Sequence, residues 1–133
     1  MEYLLDTHTL VWYMLGAEDL SKTAHDLILD KSNNLYVSVA SLWEIAIKIV
    51  IGKLDEKAFN LQYFIKMCKE CDISILPVTS SNALSYKSLP LKENHRDPFD
   101  RMIISTAIEN GFTLLSKDER FAQYKSDGLK LLW

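Results

Sequence analysis

The chain has 133 residues, 48% of them hydrophobic, with a net charge of −3 and a mean hydropathy of −0.03. That length supports one domain with a substantial core, and no stretch reaches the roughly 20 apolar residues of a membrane span. The acidic balance excludes a protein that holds nucleic acid through a broad basic face, though not a nuclease whose acidic pocket is neutralised by cations. In chain order, Tyr3-Leu4-Leu5 is a short apolar strand ending in Asp6, and Thr7 to Leu15 is a helix closed by Gly16. A second helix is expected over Ser21 to Lys31, with Ala24, Leu27 and Ile28 as its apolar stripe. Asn33-Asn34 turns the chain into a strand, Leu35 to Val39, and a helix from Ala40 to Ile51 ends at Gly52. Asn60 to Glu70 is a further helix, Ile73 to Leu76 a strand stopped by Pro77, and Ser80 to Tyr86 a short helix. Lys87 to Arg96 is polar loop. The longest helix is expected from Pro98 to Asn110, with Phe99, Met102, Ile103, Thr106 and Ala107 facing inward and Gly111 at its end. Phe112 to Leu115 is a strand, Asp118 to Tyr124 a helical turn, and Lys130 to Leu132 a last strand.

Short apolar strands alternating with helices predict an α/β fold, a three-layer sandwich around a short, mostly parallel sheet. No repeat or linker divides residues 1–133, so a single domain is expected. The N-terminus has no basic region and meets an acid at once, so it does not read as a signal peptide and a cytoplasmic location is expected. Cys68 and Cys71 form a C-x-x-C, but zinc needs a second pair of ligands. The pair also falls late in a helix, away from the N-terminus where a thiolate is stabilised, so the two read as core or surface thiols.

The chemistry concentrates at strand ends. In an open parallel sheet the ligand site lies beyond the carboxyl ends of the strands, at the start of the following helices. Asp6 closes the first strand, Glu44 falls in the first turn of the helix after the second, Asp97 and Asp100 open the longest helix, and Asp118 follows the Phe112–Leu115 strand. Pro98 suits the first helical position, which places Asp97 at the N-cap and Asp100 at N3, both facing the positive end of the helix dipole. Each acid also has a structural reading. Asp97 with Asp100, Ser41 with Glu44 and Ser116 with Glu119 all have capping-box spacing, and Glu44 can pair with Lys48 one turn on. Asp6 can bond the start of the next helix; otherwise a carboxylate ending a buried Leu-Leu run needs a metal to offset its desolvation. Five converging acids would repel one another unless cations sat among them, and an oxygen-only site suits Mg²⁺ or Mn²⁺. Thr7 and Ser116 are placed to donate hydrogen bonds that orient the acids.

Leu4-Leu5-Asp6-Thr7, Ser41-Leu42-Trp43-Glu44-Ile45-Ala46, His95-Arg96-Asp97-Pro98-Phe99-Asp100-Arg101-Met102-Ile103 and Leu114-Leu115-Ser116-Lys117-Asp118, in that order across essentially the whole chain, resemble the motifs of PIN-domain nucleases. Within that superfamily the chain is most similar to the VapC-type toxins of toxin–antitoxin modules. The resemblance implies an acidic pocket of Asp6, Glu44, Asp100 and Asp118 holding Mg²⁺ or Mn²⁺. It matches Thr7 to the small hydroxyl residue that follows the first acid, and leaves Asp97 as a possible further ligand or as cap and outer support. It implies an endoribonuclease that hydrolyses RNA through metal-activated water, usually dimeric and inhibited by a small antitoxin.

Around the acids, His95, Arg96, Arg101, Lys48 and Lys117 are candidate contacts to the RNA backbone, the cations having carboxylate pairing as their alternative. His8 and His25 read as structural residues. The helix from Ala40 to Ile51 is apolar nearly all round, so the side turned from the sheet is expected to meet a second subunit or an antitoxin helix. Three other readings stay open. A phosphatase or phosphotransferase would use Asp6 as nucleophile, but the second Asp that many such enzymes carry two residues on is here His8. A receiver-like binding module would leave Glu44 unexplained, and in a simple scaffold the acids would only cap helices.

Overall fold

The computed structural model describes residues 1–133. Its elements are β1 (Glu2–Leu5), α1 (Thr7–Leu15), α2 (Lys22–Leu29), β2 (Asn34–Ser38), α3 (Val39–Val50), α4 (Leu61–Glu70), β3 (Ile73–Leu76), α5 (Ser80–Ser88), α6 (Pro98–Asn110), β4 (Thr113–Leu115), a 3₁₀ segment (Glu119–Asp127) and β5 (Lys130–Leu132). Every strand pairing is parallel, in the order β3-β2-β1-β4-β5, so the sheet is wholly rather than mostly parallel.

β1 is central because it is apolar on both faces, as a strand covered from both sides must be. Alternation of side chains sends Tyr3 and Leu5 into a core with Leu10, Ile28, Leu35, Val37 and Cys68, while Leu4 points into a second core with Ile103, Ala107, Leu114 and Phe121. Three layers result, with α1, α2 and α4 over one face and α6 with the 3₁₀ segment over the other. The chain runs outward from β1 to β3 and then returns to pair β4 on β1's other edge. The strand order therefore reverses between β1 and β4, where such sheets open a crevice at their carboxyl ends.

Helix boundaries follow local capping. Ser21, Asn60 and Thr79 each accept a hydrogen bond from the backbone N–H three residues on, and Gly16 and Gly111 close their helices with φ of 63° and 69°. The α2 expectation extended too far: Asp30, in extended backbone, ends the helix after Leu29. Val39, expected in a strand, opens α3 because Ser38 caps it by accepting from Ala40 N–H at 3.1 Å. The inward face of α6 includes Arg101, Ile104 and Ser105 besides Ile103, Thr106 and Ala107, whereas Phe99 and Met102 are only half-buried. Cys68 and Cys71 are free thiols, and burial pushes Cys68 up to about 11, against a redox role.

Arg101 corrects one expectation. It is 3% exposed, and its guanidinium donates to the carbonyls of Leu89 at 2.8 Å and Pro90 at 2.9 Å and to the Tyr124 hydroxyl at 3.4 Å. It also lies over the Tyr86 ring, 5.1 Å from its centroid. With its donors spent on the loop before α6, it has no face for a substrate phosphate. Arg101→Met leaves buried carbonyls without donors and is expected to destabilise the fold by about 2–4 kcal/mol, with the urea slope unchanged. Arg96→Met, on the surface, should stay within about 0.5 kcal/mol; equal effects of the two in urea unfolding would refute this assignment.

Candidate active site

Asp6 stands at the crevice between β1 and β4, only 5% exposed. It caps α1: one oxygen accepts from Thr9 N–H at 2.7 Å, and the other accepts from the Ser116 hydroxyl. Burial pushes its carboxyl above the usual range, and the Ser116 and Thr9 bonds pull against that shift. The same residues lock the strands together, since Asp6 N–H and the Thr9 hydroxyl both donate to the Leu115 carbonyl, at 3.2 and 2.8 Å.

α6 divides its first turn between two acids. Asp97, exposed, is the N-cap and accepts from Phe99 and Asp100 N–H at 2.9 and 3.0 Å. Asp100 turns instead to His95, whose Nε2 lies 3.1 Å from Asp100 Oδ2. Burial pushes the Asp100 carboxyl up to about 7, and repulsion from Asp97, Glu44, Asp118 and Asp6 adds to it. Four of the five acids that the sequence singles out thus act on the carboxyl of the fifth.

His95 is not the exposed phosphate contact expected of it. It is 1% exposed, its Nδ1 lies 2.8 Å from the Tyr124 hydroxyl, and Phe121 packs edge-on against its ring at 5.2 Å. Burial holds its pKa below the usual value, so the ring is neutral at pH 7. An ionised Asp100 only accepts, so Nε2 carries the proton and Nδ1 accepts from Tyr124. His95 therefore fixes Asp100 from behind, as a supporting shell does.

Asp118 caps the 3₁₀ segment through Arg120 N–H, and the Arg120 side chain grips it by a fork, Nε at 3.0 Å and Nη2 at 2.7 Å. That fork holds the Asp118 carboxyl below its usual range. Ligand atoms of His95, Asp100 and Asp118 all lie within 4.8 Å of one another. With both nitrogens of His95 engaged, the donors this cluster offers a cation are the two carboxylates. Glu44 lies in the second turn of α3, a turn later than expected, mostly buried, with Lys48 Nζ 3.6 Å away.

Two capping boxes dissolve. Ser41 lies inside α3, where Ser38 caps, and Ser116 spends its hydroxyl on Asp6 while accepting from Asp118 N–H at 3.2 Å. Thr7 donates to Ser41 at 2.9 Å rather than to an acid, tying α1 to α3. His8 and His25, read as structural, are both exposed. Lys48 pairs with Glu44, so of the candidate phosphate contacts Arg96 and Lys117 are exposed with no carboxylate bound, Lys117 lying over the Trp12 ring. Sequence reasoning missed Arg120, Thr9 and Tyr124. Arg120, two residues after Asp118, was within reach; Thr9 meets Asp6 through its backbone N–H and Tyr124 meets His95 from a segment distant in sequence, neither of which residue type reveals.

An all-carboxylate donor set suits a hard divalent cation. The structure supports the fit on two counts: the Arg120 guanidinium stands in as a cation at Asp118, and Asp100, crowded by four acids, receives its bond from a neutral imidazole.

Residues 3–126 match the PIN domain family. The chain is 27% identical over 130 residues to Ribonuclease VapC22 of Mycobacterium tuberculosis, covering 98% of this chain and 97% of the relative. Its fold resembles VapBC2 from Rickettsia felis bound to a promoter DNA fragment, with a TM-score of 0.68 at 20% identity, covering 99% and 98% of the two chains. VapBC-1 from nontypeable Haemophilus influenzae aligns with a TM-score of 0.66 at 18% identity, covering 99% and 97%. With the family pattern spanning nearly the whole chain and its acids gathered at one crevice, this chain belongs to the PIN domain family of nucleases.

Proposed function

We propose that the chain is a divalent-metal-dependent endoribonuclease, the toxin of a toxin–antitoxin pair, that hydrolyses RNA phosphodiesters in the Asp6, Glu44, Asp100 and Asp118 pocket. The observation that carries this reading is Asp100, a carboxyl driven up to about 7 by burial and by four neighbouring acids at the sheet's crevice. The likeness to Ribonuclease VapC22 supports RNA as substrate, and the VapBC neighbours support an antitoxin partner. Asp6, Glu44, Asp100 and Asp118 would hold Mg²⁺ or Mn²⁺, which stabilises charge on the scissile phosphate and lowers the pKa of a bound water.

The chain's own residues prepare that pocket. Thr9 N–H and Ser116 aim the Asp6 carboxylate, His95 aims Asp100, and Asp97 takes the capping role that Asp100 would otherwise fill. Arg96 and Lys117 are exposed beside the acids and supply the positive charge that the RNA backbone meets. A covalent phosphotransferase reading is disfavoured, because the position two residues after Asp6, where many such enzymes carry a second Asp, is His8.

A protein partner fits the opposite side of α6's first turn. Val39, Trp43 and Ile47 of α3 face Val78, Tyr86, Phe99 and Met102 across a groove of about 800 Å³, and Trp43 is 64% exposed. Apolar surface of this kind marks a protein interface, the expected seat of a second subunit or the antitoxin. In sedimentation the chain should run as a dimer or bind the product of the neighbouring antitoxin gene; a monomer indifferent to that product rejects the assignment.

Cleavage of a structured RNA should require Mg²⁺ or Mn²⁺, stop in EDTA, and fall by more than about 100-fold in Asp6→Asn. Activity that survives both chelation and substitution overturns the mechanism. The raised Asp100 value also sets a pH dependence. Because the folded carboxyl titrates near 7 rather than 3.8, its contribution to metal-free stability is complete below about pH 4 and is lost as pH rises through 7. A cation needs the ionised form, so the rise in melting temperature caused by Mn²⁺ should grow from pH 6 to pH 8, with proton release on binding near pH 7. A Mn²⁺ effect that is constant across this range contradicts the assignment of Asp100 as ligand.

A further inference from the structure

Next to the acids lies a cleft of about 240 Å³ lined by Asp6, His8, Trp12, Lys117 and Asp118. Trp12 is half-buried yet lies outside all three hydrophobic clusters that build the core. His8 and Trp12 are one turn apart on α1, on the face opposite the buried Leu10. Their rings are 5.6 Å apart, Trp133 meets the Trp12 indole edge-on at 5.7 Å, and Lys117 Nζ lies 5.6 Å from the Trp12 ring centroid. An aromatic cluster thus opens onto the same cleft as two of the carboxylates.

We infer that this cleft is a nucleobase-stacking subsite, in which Trp12 receives the base of one RNA nucleotide beside the scissile phosphate and Lys117 meets that nucleotide's phosphate. The inference rests on the ribonuclease reading and adds how the strand is held. A flat base needs a π face, which every base can use without sequence preference. A phosphate needs a cation, and the exposed Lys117 ammonium, over the indole in this structure, yields that face to the base as it turns to the phosphate. The opposite ligand chemistry, a cationic side chain inserted between the acids and the indole, would meet Lys117 as a like charge. The volume is below that of sites for drug-sized molecules, which fits one nucleotide rather than a folded RNA element. The subsite calls for an unpaired base, since a base within a duplex has no free face for the indole.

The test is steady-state cleavage of a single-stranded RNA dodecamer in Mg²⁺, with isomers carrying one abasic position each. Trp12→Leu keeps apolar bulk and removes the π face, whereas Trp12→Phe keeps a flat ring. Trp12→Leu should raise KM about 5- to 100-fold with kcat nearly unchanged, and Trp12→Phe should recover most of that loss. One abasic position should raise the wild-type KM similarly and lose its effect in Trp12→Leu. Mn²⁺-induced thermal stabilisation should be the same in all three proteins, showing the acids undisturbed. An unchanged KM in Trp12→Leu, equal losses in the Leu and Phe variants, or abasic effects that persist in Trp12→Leu each overturn the subsite while leaving the ribonuclease reading standing. A wild-type protein that neither cleaves the RNA nor responds to Mn²⁺ overturns both.

Discussion

The constraint on which this structure turns is the burial of one carboxylate at the end of its central strand. Asp6 follows two residues of zero exposure and is itself 5% exposed, where an isolated ionised carboxylate is strongly penalised. Its surroundings exist to offset that penalty. The N-terminus of α1 supplies Thr9 N–H and the positive end of a helix dipole, and β4 delivers Ser116 from the neighbouring strand end. Because Ser116 also accepts from Asp118 N–H, the path of the chain leaving β4 is set by the same residue that steadies Asp6. The parallel topology, which makes β1 and β4 adjacent with both carboxyl ends on one edge, is what allows this exchange.

Charge balance across the pocket follows a rule of unequal shares. Asp118 and Glu44 each have a nearby cation, Arg120 and Lys48, and both cations reach in from the same element as the acid they serve. Asp6 and Asp100 have only neutral donors, and their carboxyls are the two that burial shifts upward. A protein that needed these acids only as helix caps would gain nothing from leaving two of them so poorly compensated. Perturbed groups gathered at a sheet's crevice are where function is sought. Here the perturbation has the sign that an added cation would reverse.

Much of the fold was legible because local signals agreed with the global pattern. Two-sided apolar runs read as buried strands, and the caps at Ser21, Asn60, Gly16 and Gly111 placed helix ends to within a residue or two. α6 was legible residue for residue, since Asp97, Pro98 and Gly111 mark both its ends. Asp6, Asp97, Asp100 and Asp118 were legible for the same reason, each following a strand or opening a helix, whereas Glu44 lies a turn further into α3 than the sequence indicates. Their supports were not. Arg101 and His95 read as surface charge beside a phosphate site, yet both turn inward onto Tyr124, from a 3₁₀ segment far along the chain. Ser38 displaced Ser41 as the cap of α3 because the chain turned one residue early, and no periodicity in so short a strand could register that.

The first turn of α6 shows why the motif His95-Arg96-Asp97-Pro98-Phe99-Asp100-Arg101 carries so many polar residues in so short a span. A helix start needs acceptors for its free N–H groups, and the metal pocket proposed above would need a carboxylate free of such duty. With one acid the two demands compete. Here Asp97 accepts the N–H groups of both Phe99 and Asp100, and Pro98 removes a donor that would otherwise need a partner. Asp100 is thereby released toward the crevice, but its side chain would then rotate freely between Asp97 and solvent. His95 ends that freedom, and Tyr124 and Arg101 in turn hold His95's loop against the core. Each residue frees or restrains the next, so the segment works as a single device for presenting one carboxylate. That dependence accounts for the mixture of capping, buried cation and neutral imidazole within seven positions, which no one of these roles explains alone.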